Sequence, residues 1–120
     1  MHYSKLNSNF ANINGTLIMM KRSTAKIIPL IKECLTKQPI TKAWLFGSYS
    51  RGEERSDSDI DLLVEYDSNA RISLMTISRV MCELRKATGK QVDVIEEGRL
   101  MPFAADSANH DKILIYERAN

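Results

Sequence analysis

A glycine–serine pair closes one apolar run of this chain, and after ten intervening residues two aspartates open the next. The first run is Lys42-Ala43-Trp44-Leu45-Phe46, ended by Gly47-Ser48. The second is Asp59-Ile60-Asp61-Leu62-Leu63-Val64. Short apolar runs bounded by turn residues read as buried strands. Side chains alternate between the two faces of a strand, so Asp59 and Asp61 project together while Ile60, Leu62 and Val64 enter the core. The chain is thereby committed to a sheet packed on one face, with acids gathered at a strand start beside a tight turn.

The flanking sequence supplies the helices and further strands. Ile27, Ile28, Ile31, Cys34 and Leu35 recur at helical spacing, which predicts a helix over 23–38. Pro29 falls inside that pattern and implies a kink or a start near Ile28. Residues 49–55 read as a short helical turn or loop, and 60–66 as a strand ended by turn chemistry at Asp67-Ser68-Asn69. Leu74, Ile77, Val80, Met81 and Leu84 mark the buried stripe of a helix over 71–88, with Gly89 as its C-terminal stop. Gln91–Ile95 reads as a third strand, 100–109 as a weak helix, and 113–116 as a strand or a helical turn. The fold class is α/β (α+β): a small mixed sheet flanked by helices.

A chain of 120 residues holds one domain. Residues 1–18 carry Asn7, Asn9, Asn12 and Asn14 with little periodicity, and predict a loosely ordered extension that is neither good helix nor good strand. The domain proper is expected over 19–120. A net charge of +2 is too small to argue for nucleic-acid binding, and none is expected. Leu17–Met20, among the longest apolar stretches, is far short of the ~20 residues a membrane span needs. With no secretory leader pattern, the expected compartment is the cytoplasm. Cys34 and Cys82 lack metal-site spacing and read as reduced core thiols. Trp44 and Phe46 are expected in the core, as is the methionine stripe Met75, Met81 and Met101, and His110 at the surface.

Chemistry concentrates in the acidic strand. Asp59 and Asp61, with Cα atoms ~6.5–7 Å apart, can reach one hard cation. Two carboxylates so placed repel unless a cation or proton lies between them. Gly47 lets the backbone turn tightly and lets a phosphate approach closely. The following amides and the Ser48 hydroxyl can donate to it, and Arg51 adds a forked cation. Asp93 sits amid the apolar run Val92–Ile95, where burial without a partner is costly. If its strand lies beside Ile60–Val64, Asp93 stands next to Asp61. Asp57 is read as a turn residue. Together these features describe a nucleoside-triphosphate site with Mg²⁺.

The pattern Gly47-Ser48, ten residues, Asp59-Ile60-Asp61, with the later strand acid Asp93, resembles the DNA polymerase β-like nucleotidyltransferase superfamily. Arg51-Gly52-Glu53 and Leu62-Leu63-Val64 are similar to its minimal nucleotidyltransferases, including the antitoxins of that type. The likeness runs from about Met20 to the end of the chain. It implies a polymerase β-like core and two Mg²⁺ ions, with ATP as substrate. It implies that Gly47, Ser48 and Arg51 bind the nucleotide. Asp59 and Asp61 would hold both metals, and Asp93 would hold the catalytic metal and help deprotonate the acceptor. The partner so implied is a HEPN-domain toxin whose tyrosine receives AMP, in a homodimer or hetero-oligomer. Transfer to a small molecule such as an aminoglycoside, or masking of a toxin by a non-catalytic binding module, are the alternatives.

Overall fold

A computed structural model of the chain describes residues 10–13, 16–19, 21–97 and 112–119. Two short strands, β1 (Phe10–Ile13) and β2 (Thr16–Met19), pair antiparallel. Then follow α1 (Arg22–Leu35), β3 (Ile40–Phe46), α2 (Ser48–Arg51), β4 (Ile60–Tyr66), α3 (Leu74–Thr88), β5 (Val92–Glu96) and β6 (Ile113–Glu117). The main sheet has the order β5-β4-β3-β6. β3 runs antiparallel to both β4 and β6, whereas β4 and β5 are parallel and joined by α3. This is the mixed sheet with helices that the sequence predicts.

One sheet face makes the core. Ala43 and Leu45 of β3, Ile60, Leu62 and Val64 of β4, Val92 of β5 and Ile115 of β6 pack with Ile27, Ile31 and Leu35 of α1 and Val80 and Leu84 of α3. The period of two along the strands meets the period of 3.6 along the helices, and that match fixes the strand register. Leu63 points the other way. It is 1% exposed yet outside this cluster, and its cross-strand partners are Trp44 and Ile95.

α1 continues through Pro29, an exposed position where a carbonyl left without a donor can turn to water. α3 starts later than expected, at Leu74, because Ser73 and Thr76 form a reciprocal cap. Gly89 ends it in the left-handed conformation, its N–H donating to the Arg85 carbonyl. At the end of the sheet opposite Phe46, Arg118 donates to Asp67 Oδ2 at 2.8 Å and to the Gln38 carbonyl at 2.9 Å.

Several expectations need correction. Residues 10–13 and 16–19 form the strands β1 and β2, where the composition of 1–18 predicts neither helix nor strand. Leu74 and Met75, in the first turn of α3, are 84% and 72% exposed. Cys82 is exposed and Cys34 half-buried. Trp44 and Phe46 are half-buried on the face away from the helices, with the Lys112 ammonium 4.6 Å from the Trp44 ring centre. The expected helix over 100–109, with Met101 and His110, lies outside the described residues.

These positions predict opposite responses along one helix. Leu84→Ala removes a fully buried side chain and should cost about 2–5 kcal/mol. Leu74→Ala should stay within about 0.5 kcal/mol of wild type. Urea unfolding of both variants measures the contrast, and equal losses would contradict the packing of α3.

Candidate active site

β3 delivers the chain to Gly47, whose φ of 76° and ψ of −150° turn it into α2. The Gly47 carbonyl accepts from the Ser50 and Arg51 amides and from the Ser50 hydroxyl at 2.8 Å. Tyr49, 1% exposed, anchors this turn in the core. Ser48 therefore opens α2 at the tip of β3, and Arg51 closes it. The Arg51 Nε donates to Glu53 Oε1 at 2.6 Å, which restrains the guanidinium.

Asp61 lies at the centre of the arrangement. Its cross-strand partner on one side is Phe46, immediately before the turn, and on the other side it is Asp93. The parallel register of β4 and β5 thus brings together the two acids that the sequence could only join conditionally. Gly47 packs directly on the Asp61 carboxylate: a Cβ placed there would fall 2.6 Å from Oδ2. Asp59, exposed, stands one residue ahead of β4, and Asp93 is exposed on the edge strand β5. Burial raises the Asp61 carboxyl above the ordinary range, and the charges of Asp93 and Asp59 raise it further, while Arg51 opposes them. Asp59, Asp93 and Arg51 therefore all act electrostatically on Asp61.

This charge pattern fits a divalent cation. Every donor is a hard carboxylate oxygen, and Asp61 carries like-charge repulsion that a cation relieves. Among the described residues no three His, Cys, Asp or Glu side chains form a ready cage. Mg²⁺ in nucleotide sites takes one or two carboxylates and completes its shell with water and substrate phosphate. An open acid set suits it better than a closed one.

The loop 52–59 carries features that motif reading misses. Arg55 N–H donates to the Ser58 hydroxyl, and Lys90, just ahead of β5, donates to the Ser56 carbonyl at 3.0 Å. Glu54 is 5% exposed, alone among the loop's charged residues in being buried. Its place in a polar loop gives no sequence signal of burial. A cleft of about 370 Å³ between α1 and α3, lined by Leu30, Cys34, Lys37 and Glu83 among others, contains none of the candidate residues. The candidate residues gather instead at the end of the sheet that carries the Gly47 turn.

Residues 29–120 match the family model described as polymerase beta, nucleotidyltransferase. The chain belongs to this nucleotidyltransferase family. Within the family it is 40% identical over 81 residues to a candidate protein adenylyltransferase of Methanocaldococcus jannaschii, a match covering 68% of this chain and 81% of that protein. Among solved structures, a toxin–antitoxin complex with AMP-PNP superposes at a TM-score of 0.64 with 19% identity, covering 76% of this chain and 73% of the other. A Shewanella oneidensis complex of a tri-AMPylated HEPN toxin with a minimal nucleotidyltransferase antitoxin gives a TM-score of 0.52 at 19% identity, over 80% and 71% of the two chains. At those identities the two structures establish a shared fold. As a nucleotidyltransferase the chain is an enzyme, and among its described residues no helix is long and apolar enough to cross a membrane.

Proposed function

We propose that this nucleotidyltransferase moves AMP from ATP to a tyrosine hydroxyl of a HEPN-domain toxin and so serves as that toxin's antitoxin. The observation that carries this reading is the register pairing of Asp61 with Asp93 directly behind the Gly47 turn. The protein adenylyltransferase named among its relatives supports protein as the acceptor class, and the toxin complexes of like fold support the partner. Exposure of Asp59 and Asp93 favours an acceptor presented from outside rather than one enclosed in a pocket.

In this reading the Ser48 hydroxyl and the amides of the turn bind phosphate oxygens, and Arg51, steadied by Glu53, adds charge neutralisation. Asp59 and Asp61 would hold two Mg²⁺ ions between protein and triphosphate, with Asp93 joining at the acceptor side. Bound Mg²⁺ supplies Lewis-acid stabilisation of charge on the phosphates. Asp93 receives the proton of the acceptor hydroxyl. The acceptor oxygen forms a bond to the α-phosphorus as the bond to the bridging oxygen breaks, and pyrophosphate leaves. The chain contributes alignment and fixed charge without a covalent intermediate.

Intact-mass measurement tests the reading. Purified chain, ATP, Mg²⁺ and its proposed HEPN-domain partner should yield a partner heavier by about 329 Da per AMP, with EDTA abolishing the gain. A tight complex with no mass change would instead identify a masking module and refute transfer.

A further inference from the structure

Loop 52–59 joins the Gly47-Ser48 turn to the Asp59–Asp61 pair and has no strand or helix of its own. A free loop of that length samples many closures, and a shift of ~1 Å at a catalytic constellation can cost ~10²-fold in rate. Something must hold it. Glu54 sits near its middle and turns inward while Glu53, Arg55, Ser56 and Asp57 stay in water. Its Oε2 accepts from the Ser23 hydroxyl at 2.7 Å and the Thr24 hydroxyl at 2.6 Å, both in the first turn of α1. The Glu54 carbonyl accepts from Lys21 Nζ at 3.0 Å.

The start of α1 is complementary to this anchor. Its N-cap residue, Lys21, makes no side-chain cap, and its first turn contains no acid. A helix N-terminus favours a nearby anion, and Glu54 supplies one from thirty residues away in sequence. The second oxygen, Oε1, is buried with no hydrogen-bond partner among the described residues. An apolar side chain would fill the space without that cost, so what Glu54 adds over packing is a directional tether. The lysine bond at Ser56 holds the far half of the loop to the α3–β5 junction, next to Asp93.

We propose that Glu54 is a positioning residue: by pinning loop 52–59 to the first turn of α1 it sets the Gly47-Ser48 turn and the Asp59–Asp61 pair at the spacing that nucleotide binding needs. The inference rests on the nucleotide site assigned above to these residues. Glu54 is assigned no contact with substrate or metal, since its carboxylate turns to α1.

The test measures the affinity of Mg²⁺·AMP-PNP by calorimetry at a temperature well below unfolding, with melting temperatures determined alongside. Glu54→Leu keeps the volume and removes the tether; it should weaken binding roughly tenfold to a hundredfold in folded protein. Ser23→Ala/Thr24→Ala cuts the same tether from the α1 side and should reproduce the loss. Glu54→Gln retains an oxygen for both hydroxyls and should recover most of the affinity. Arg118→Ala, which destabilises the opposite end of the sheet, should lower the melting temperature and leave affinity unchanged. Wild-type affinity in both untethered proteins, or an equal loss in Arg118→Ala, would overturn the positioning role. Absence of binding by wild type would overturn the nucleotide site and this inference with it.

Discussion

Asp61→Asn should lose nucleotidyl transfer by about 10³-fold or more and, in the same protein, make the metal-free fold more stable at neutral pH. The two effects have one origin. Burial, then the charges of Asp93 and Asp59, raise the Asp61 carboxyl, and Arg51 offsets only part of this. A carboxyl whose pKa is higher folded than unfolded contributes stability in full below its unfolded value of ~3.9, and that contribution is lost as pH rises through the folded value. At neutral pH the surroundings of the Asp61 carboxyl are therefore a cost to folding. Asparagine has nearly the same shape and no charge, so it removes the cost. The stability gap between variant and wild type should open as pH rises from about 4 toward 7, and close below about 4.

Urea unfolding in EDTA at both pH values, together with a transfer assay, measures the two arms. Mg²⁺ and ATP should then raise the melting temperature of wild type by mass action and leave the variant unmoved. Wild-type turnover by Asp61→Asn would remove this carboxylate from the reaction. A variant less stable than wild type at pH 7 in EDTA would show that Asp61 is satisfied by contacts rather than strained by its neighbours.

Much of this constellation was legible in the sequence because it is local. Gly47, Ser48, Asp59 and Asp61 lie within fifteen residues, and strand alternation alone puts Ile60, Leu62 and Val64 in the core opposite the acids. Asp93 was legible only as a conditional. Nothing in Val92–Glu96 states which strand it joins; the parallel pairing with β4 depends on α3 crossing back over the sheet. Glu54 was not legible at all, since its partners Ser23 and Thr24 belong to a distant helix whose own capping sequence is deficient. Hydrophobic periodicity marked Leu74 as core because it follows the helix, whereas burial follows the edge of the sheet on which the helix lies. The strands β1 and β2 are hidden in the sequence by the asparagine-rich composition around them.

Gly47→Ala should reduce transfer to about 1% of wild type or less, through displacement of Asp61 rather than through unfolding. Two separate costs meet at this residue. Its backbone, at φ 76° and ψ −150°, lies where an L side chain is strained by about 1–3 kcal/mol. Its Cβ would also stand 2.6 Å from Asp61 Oδ2, closer than real contacts allow. The least costly relief rotates the carboxylate away, which takes it from Asp93 and from the turn. Gly89→Ala separates the two costs. Gly89 has a similar φ of 73° but nothing within 4 Å of the added carbon, so it should show a stability loss of about 1–2 kcal/mol and full activity. The double variant Gly47→Ala/Asp61→Ala relieves the clash and should regain part of the stability lost by Gly47→Ala while remaining inactive. Transfer kinetics and urea unfolding across the four proteins decide the matter. A Gly47→Ala enzyme that keeps its turnover would mean that the carboxylate need not rest on this turn, and the close approach of glycine and aspartate would be incidental to catalysis.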